Sequence, residues 1–174
     1  NKQFKSAMAE NLHIRSTSQS IDSLLTSRRK KIDYEAPYQR NYVWNDEKAS
    51  FFIESILLGV EIPPLILFIH AHDKKTLEVI DGRQRYETIE RFKEGKFSLR
   101  KNGLLKLKNL AGKKYDDLID NEDKGDKNEK YRRAFNNTTL RIIEFSSKNP
   151  NSHSDTQALL EDKISKEIFR RYNT

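Results

Sequence analysis

The chain has 174 residues, 35% apolar and 34% charged, which suits one domain, and Phe, Tyr, Ile and Leu are plentiful enough for a core. A net charge of +7 and a pI near 9.5 favour an anionic partner and say nothing about fold. The absence of cysteine excludes disulfides, thiol catalysis and Cys-based metal sites, and no apolar run approaches the roughly 18 residues of a membrane span, so the sequence predicts a soluble cytoplasmic protein with no membrane partner.

Residues 1–19 are polar and read as a flexible N-terminal segment, leaving 20–174 as a single domain. "SQSIDSLLTSRRK" predicts a short helix capped by Ser18 or Ser20, with Ile21, Leu24 and Leu25 on one face. "KIDYEAPYQ" predicts a short strand running into a loop at Pro37. Residues 46–60 carry the clearest helical period, through Ala49, Phe52, Ile53, Ile56, Leu57 and Val60, with Asn45 or Asp46 as cap. "LILFIH" is apolar on both faces, as a strand inside a sheet is, and "TLEVI" follows closely enough for an antiparallel hairpin. A helix over 82–94 is stopped by Gly95.

Beyond it, 97–112 reads as a β or turn excursion around Asn102-Gly103. Its alternate lysines suit either a guarded strand edge or contact with DNA phosphates. Residues 121–130 are charged at nearly every position and read as a solvated loop or the exposed face of a frayed helix. "TTLRIIEF" predicts a strand, and 156–172 an amphipathic helix with Leu160, Ile164 and Ile168 inward. The stop just after "RYNT" suggests a domain truncated at its C-terminal end. Helices and strands are interspersed without a repeated parallel βαβ signature, which makes the fold class α+β with a small mixed sheet.

Two stretches carry chemistry. In "EVIDGRQRYETIERF" an apolar strand ends at Asp81-Gly82 and a helix begins. Asp81 and Gln84 have the spacing of a capping box, and Gly82 relieves the turn. Arg85 lies about 40° from Ile89 and about 20° from Phe92 on a helical wheel, on the axis of the apolar stripe. A guanidinium there needs a partner: Asp81 one turn back, or an anion from outside. The free N–H groups of a first helical turn, with Arg83 and Arg85, make a phosphate seat. In "APYQRNYVW", Tyr38, Tyr42 and Trp44 surround Gln39 and Arg40. That suits either an aromatic loop packed on the core or a loop that stacks on bases and reads polar edges. His70 and His72 share a side of a strand end, and an exposed strand end is the expected reading because no third metal ligand is placed; no metal site is predicted. Glu35 and Glu87 read as solvated carboxylates rather than a general base.

Together, "YEAPYQRNYVW", the helix exit "ESILLGVEIPPLIL", the box "EVIDGRQRYETIERF" and the closing "EIFRRYNT" resemble the N-terminal domain of GmrSD-type restriction endonucleases (domain of unknown function 262). The resemblance spans about 20–174, is patchy over 97–137, and departs at position 83, where Arg replaces the family's usual Gln. It implies a ParB- and sulfiredoxin-like α+β fold and a domain that binds and hydrolyses a nucleoside triphosphate (ATP, GTP or CTP, with Mg²⁺ an option) in defence against phage or foreign DNA. By position it implies a nucleotide site of Tyr38, Gln39, Arg40, Gly82, Gln84, Arg85 and Asn173, to which the phosphate-seat reading adds Arg83, with Asp81 and Arg85 as the catalytic pair. DNA would be reached through a partner or a C-terminal domain outside this chain, and a homo-oligomer is an open possibility. The alternatives are a DNA-binding module without nucleotide chemistry, or part of a nuclease whose cutting domain lies elsewhere.

Overall fold

The structure, a computed structural model, describes residues 12–28, 32–33, 41–70, 77–147 and 155–172. The elements run β1 (Leu12–Ser20), α1 (Ile21–Arg28), β2 (Ile32–Asp33), α2 (Asp46–Leu57), β3 (Leu65–Ile69), β4 (Leu77–Asp81) and α3 (Arg83–Lys93). Short 3₁₀ turns follow, with a small hairpin of β5 (Asp120–Asn121) and β6 (Asp126–Lys127). Then come α4 (Glu129–Asn137), β7 (Thr139–Ser147) and α5 (Asp155–Tyr172). The main sheet has the order β1-β7-β3-β4-β2 and is mixed: β3 pairs antiparallel with β4 and parallel with β7, β2 parallel with β4, and β1 antiparallel with β7. This is the predicted α+β architecture.

Alternation along the strands sorts the core into two layers. Leu65 and Leu67 of β3, Leu77 and Val79 of β4, and Leu140 and Ile142 of β7 face α1 to α4. Ile66 and Phe68, Ile80 and Phe145 face the other way, where Ile168 of α5 covers them. The hairpin of β3 and β4 is therefore buried on both faces, as the unbroken apolar run of β3 requires, although β4 places Glu78 among the buried side chains. The helix caps follow from single side chains: Asn45 Oδ1 accepts from Lys48 N at 2.8 Å, and Ser20 Oγ accepts from Ser23 N at 3.1 Å.

One expectation is corrected, one segment gains an element, and one pair of alternatives is decided. Residues 12–19, assigned to a flexible segment, belong to the nine-residue edge strand β1, registered from Leu12 opposite Ser147 to Ser20 opposite Thr139. Its side chains are mostly exposed, so backbone pairing holds it and no apolar pattern betrays it. Helix α4 occupies 129–137, where the charged stretch to 130 reads as a solvated loop or the face of a frayed helix and nothing beyond it is assigned; Phe135 is its one fully buried side chain, too sparse a signal to read as a period. Of the two readings of 97–112, β or turn, the structure takes the turn: a wrapped loop with 3₁₀ turns at Lys101–Gly103 and Lys108–Leu110. Leu99, Leu104, Leu107 and Leu110 are buried in the larger core layer.

Candidate functional site

Helix α3 starts one residue later than a capping box requires. Asp81 is the last residue of β4, and Gly82, at φ 101° in the left-handed region, is the N-cap; no side chain caps the helix. Asp81 is thus not the cap, and Gln84 is not the return arm of a capping box. A Cβ at position 82 would lie 3.0 Å from Leu65 Cδ1 and 3.3 Å from Arg85 Nη2, so glycine is needed for space as well as for φ.

The two arginines are engaged modestly. Arg85 Nη2 donates to Pro64 O at 3.1 Å and to Asp81 Oδ2 at 3.4 Å, the latter a long contact between side chains 22% and 29% exposed. Arg83 Nε donates to Glu87 Oε2 at 3.2 Å, which takes Glu87 as an ion-pair partner rather than a free base. Arg85 also borders an apolar cavity of about 10 Å³, room for about one water, lined with Ile62, Leu65, Gly82, Tyr86 and Ile89 among others. The guanidinium therefore sits where the apolar stripe predicted, at the stripe's open end. The fold supplies one carboxylate and one carbonyl to it among the contacts above.

Gln84 joins the two motifs. Its Oε1 accepts from Val43 N at 2.9 Å and Trp44 N at 3.4 Å, and its Nε2 donates to Asn41 O at 2.9 Å. Tyr42 Oη and Thr88 Oγ1 are 2.9 Å apart; since Thr88 donates its only hydroxyl proton to Gln84 O at 2.6 Å, Tyr42 is the donor. The Arg91 guanidinium stands 4.8 Å over the Tyr42 ring, Trp44 meets Phe52 edge-on at 5.4 Å, and Lys48 lies 5.1 Å over the Trp44 ring. One face of α3 (Gln84, Thr88, Arg91) thus clamps the chain immediately after Arg40. Tyr38, Gln39, Arg40 and Asn173 lie outside the described residues, as does His72. Thr88 and Arg91 were not picked out from sequence; their i+4 and i+7 spacing from Gln84 was the available signal.

His70 was expected at an exposed strand end. It is instead largely buried, with Nε2 3.3 Å from Glu78 Oε2 and Nδ1 3.6 Å from Glu161 Oε2. The two carboxylates take opposite ring nitrogens, so the three groups do not converge on one point, and among the described residues no cluster of three His, Asp or Glu has metal-binding geometry.

Two further polar centres were not foreseen. Glu54 of α2 is 2% exposed, and its carboxylate accepts from Leu105 N, Lys106 N and Leu107 N at 2.8–3.1 Å. Burial pushes its pKa up, but the three backbone donors outweigh that, and the carboxyl titrates below its ordinary value. Tyr115 is buried with its Oη 2.8 Å from Lys93 Nζ and from Asn136 Nδ2. Here too burial raises the pKa, and the bonds to Lys93, Arg132 and Asn136 bring it below the ordinary phenol value.

No helix among the described residues is long and apolar enough to cross a membrane. No curated protein and no solved structure matches the chain, so the ParB- and sulfiredoxin-like kinship rests on the resemblance alone. The Asp-Gly-x-Gln-Arg turn and the aromatic loop, far apart in sequence, form one unit through Gln84. Residues 21–174, the span that holds both, match the GmrSD restriction endonuclease N-terminal domain, and the chain belongs to that family.

Proposed function

We propose that this domain serves a DNA-restriction or anti-phage protein as a sensor that binds a nucleoside triphosphate at the 81–85 turn and hydrolyses it. The observation that carries the reading is the start of α3. It has no side-chain cap, its dipole is positive at that end, and the Arg85 guanidinium beside it is held by one carbonyl and by a long, partly exposed contact to a single carboxylate. A phosphate there would take the first-turn N–H groups and displace or share Asp81 as the counter-ion of Arg85. The cavity bordering Arg85 is far too small for a nucleotide, so the triphosphate would lie across the open face of the turn, toward the aromatic loop.

Asp81 is the one carboxylate of the turn. Mg²⁺ bound mainly by phosphate oxygens needs one or two protein carboxylates, and Asp81 would supply that oxygen. In this reading Asp81 and Arg85 act on the phosphates and Arg83 adds positive field. Gln84 serves by fixing the 41–44 backbone, because its amide is already committed there.

Titration calorimetry with non-hydrolysable ATP, GTP and CTP analogues, with and without Mg²⁺, tests the proposal. Binding of one of them to the wild type, lost in Arg85→Ala, is the expected result. Absence of heat with all three in both conditions overturns it.

A further inference from the structure

The charge of the chain is not spread evenly. It carries 33 Lys and Arg against 26 Asp and Glu; seven of those cations fall in residues 96–114, which contain no acid, so the other 26 cations balance the 26 acids. The whole excess of +7 is thus the charge of one 19-residue loop.

That loop is held stiffly. Glu54 accepts the N–H groups of Leu105, Lys106 and Leu107. Ser50 Oγ accepts from Arg100 N at 2.9 Å, and Leu99 exchanges backbone bonds with Lys113 and Gly112 at 2.8 and 2.7 Å. Gly103 sits directly on the α2 backbone, where a Cβ would overlap Glu47 O. With the leucines turned inward, Lys101, Lys106 and Lys108 are left exposed and Lys113 half-exposed. The carboxylates nearby do little to neutralise them. Asp46 pairs with Arg100 at 3.1 Å, Glu94 with Lys96 at 3.8 Å, and Asp116 with Arg132 at 3.5 Å. Asp117 accepts from Lys114 N, Glu54 is buried under the loop, and Glu47 stands exposed beside Gly103.

A small anion is held by cations that converge on one point, whereas these four are spread over a loop that wraps the larger core layer. A membrane surface requires an apolar face beside the charge, and Leu105 is the only large exposed apolar side chain of the segment. A duplex presents closely spaced phosphates along its length, which suits several lysines carried on one backbone-pinned loop, and ordering that backbone beforehand removes part of the entropy cost of binding. We propose that the 96–114 loop is a sequence-independent docking surface for the phosphate backbone of duplex DNA, engaged through Lys101, Lys106, Lys108 and Lys113 and separate from the 81–85 turn.

The test is fluorescence anisotropy of the full chain with a short labelled duplex of arbitrary sequence, titrated across salt concentrations. The wild type is compared with Lys101→Gln/Lys106→Gln/Lys108→Gln and with a control, Lys130→Gln/Lys163→Gln/Lys166→Gln, thermal melts having shown that all three fold. The loop variant is expected to lose at least about tenfold in affinity at low salt and to lower the log–log salt slope by about three, while the control stays near wild type. Equal slopes for wild type and loop variant, an equal loss in the control, or no salt-dependent duplex binding at all overturns the proposal. Binding to phosphatidylserine vesicles in preference to duplex overturns it too. Failure of nucleotide binding leaves this result untouched, because the two surfaces share no residue.

Discussion

Glu54 and Asp81 are both carboxylates at places where the chain changes direction, and they behave in opposite ways. Glu54 is buried and saturated, gathering three backbone N–H groups of one loop. Asp81 is partly exposed and meets Arg85 at 3.4 Å, leaving the helix start beside it uncapped. A carboxylate surrounded by fixed donors has nothing left to offer a ligand. One facing a single, long, solvent-screened cation can exchange that partner at little cost. The first arrangement builds the fold, and the second is the contact on which the proposed phosphate site rests.

The largest expected effect tests the structural half of this contrast. Glu54→Ala leaves three loop N–H groups without their acceptor and should lower stability by about 4 kcal/mol in urea denaturation, since each buried donor left unsatisfied costs about 1–3 kcal/mol. A loss below about 1 kcal/mol would show the loop to be held by its leucines alone. The same carboxylate gives the contrast a pH signature. Its folded pKa is lowered, so its contribution is fully present above the unfolded carboxyl pKa and disappears as pH falls through the folded value. Stability of the wild type should therefore drop on acidification below the ordinary carboxyl pKa, and Glu54→Gln should flatten that limb. An unchanged acid limb in Glu54→Gln breaks the assignment.

The functional half predicts the reverse balance. Arg85→Ala should cost under about 1 kcal/mol of stability, as partly exposed pairs do, yet weaken triphosphate binding at least about tenfold. A stability loss larger than the binding loss would move Arg85 to the structural side. Gln84→Ala lies between the two. Water can replace part of the amide's bonds, so about 1–2 kcal/mol is expected, with hydrogen exchange quickening at the Val43 and Trp44 amides but not in β3. The smallest effect is that of Asp81→Asn, which should change stability by less than about 0.5 kcal/mol because Asp81 caps nothing. A loss of about 1 kcal/mol or more, the usual worth of an N-cap, would restore the capping role.

Much of this could be read in advance wherever side-chain periodicity reports burial. Ala49, Ile53, Ile56 and Leu57 placed α2, and the two apolar runs placed β3 and β4. The strand-to-helix turn at 81–83 stood out from its Asp-Gly pair. Reading stopped where burial is not the organising force. β1 is polar because its side chains face mostly outward and its backbone pairing holds it, and α4 buries one aromatic, Phe135, among eight other, mostly polar residues. Gln84 read locally as the arm of a capping box, and its actual partners lie 40–43 positions away, a distance no local pattern encodes.

The sequence by itself determined the α+β class, the caps to within Ser18 or Ser20 and Asn45 or Asp46, the two-sided burial of β3 and an arginine at the head of an apolar stripe. All of these follow from local spacing and from the free energy of removing apolar surface from water. Only the tertiary structure decided that Gly82 and not Asp81 begins α3, that Gln84 fastens the aromatic loop, and that Glu54 anchors the basic one. Hydrogen bonds between distant segments depend on how the layers pack, and a polar side chain takes whichever donor or acceptor that packing brings within about 3 Å of it.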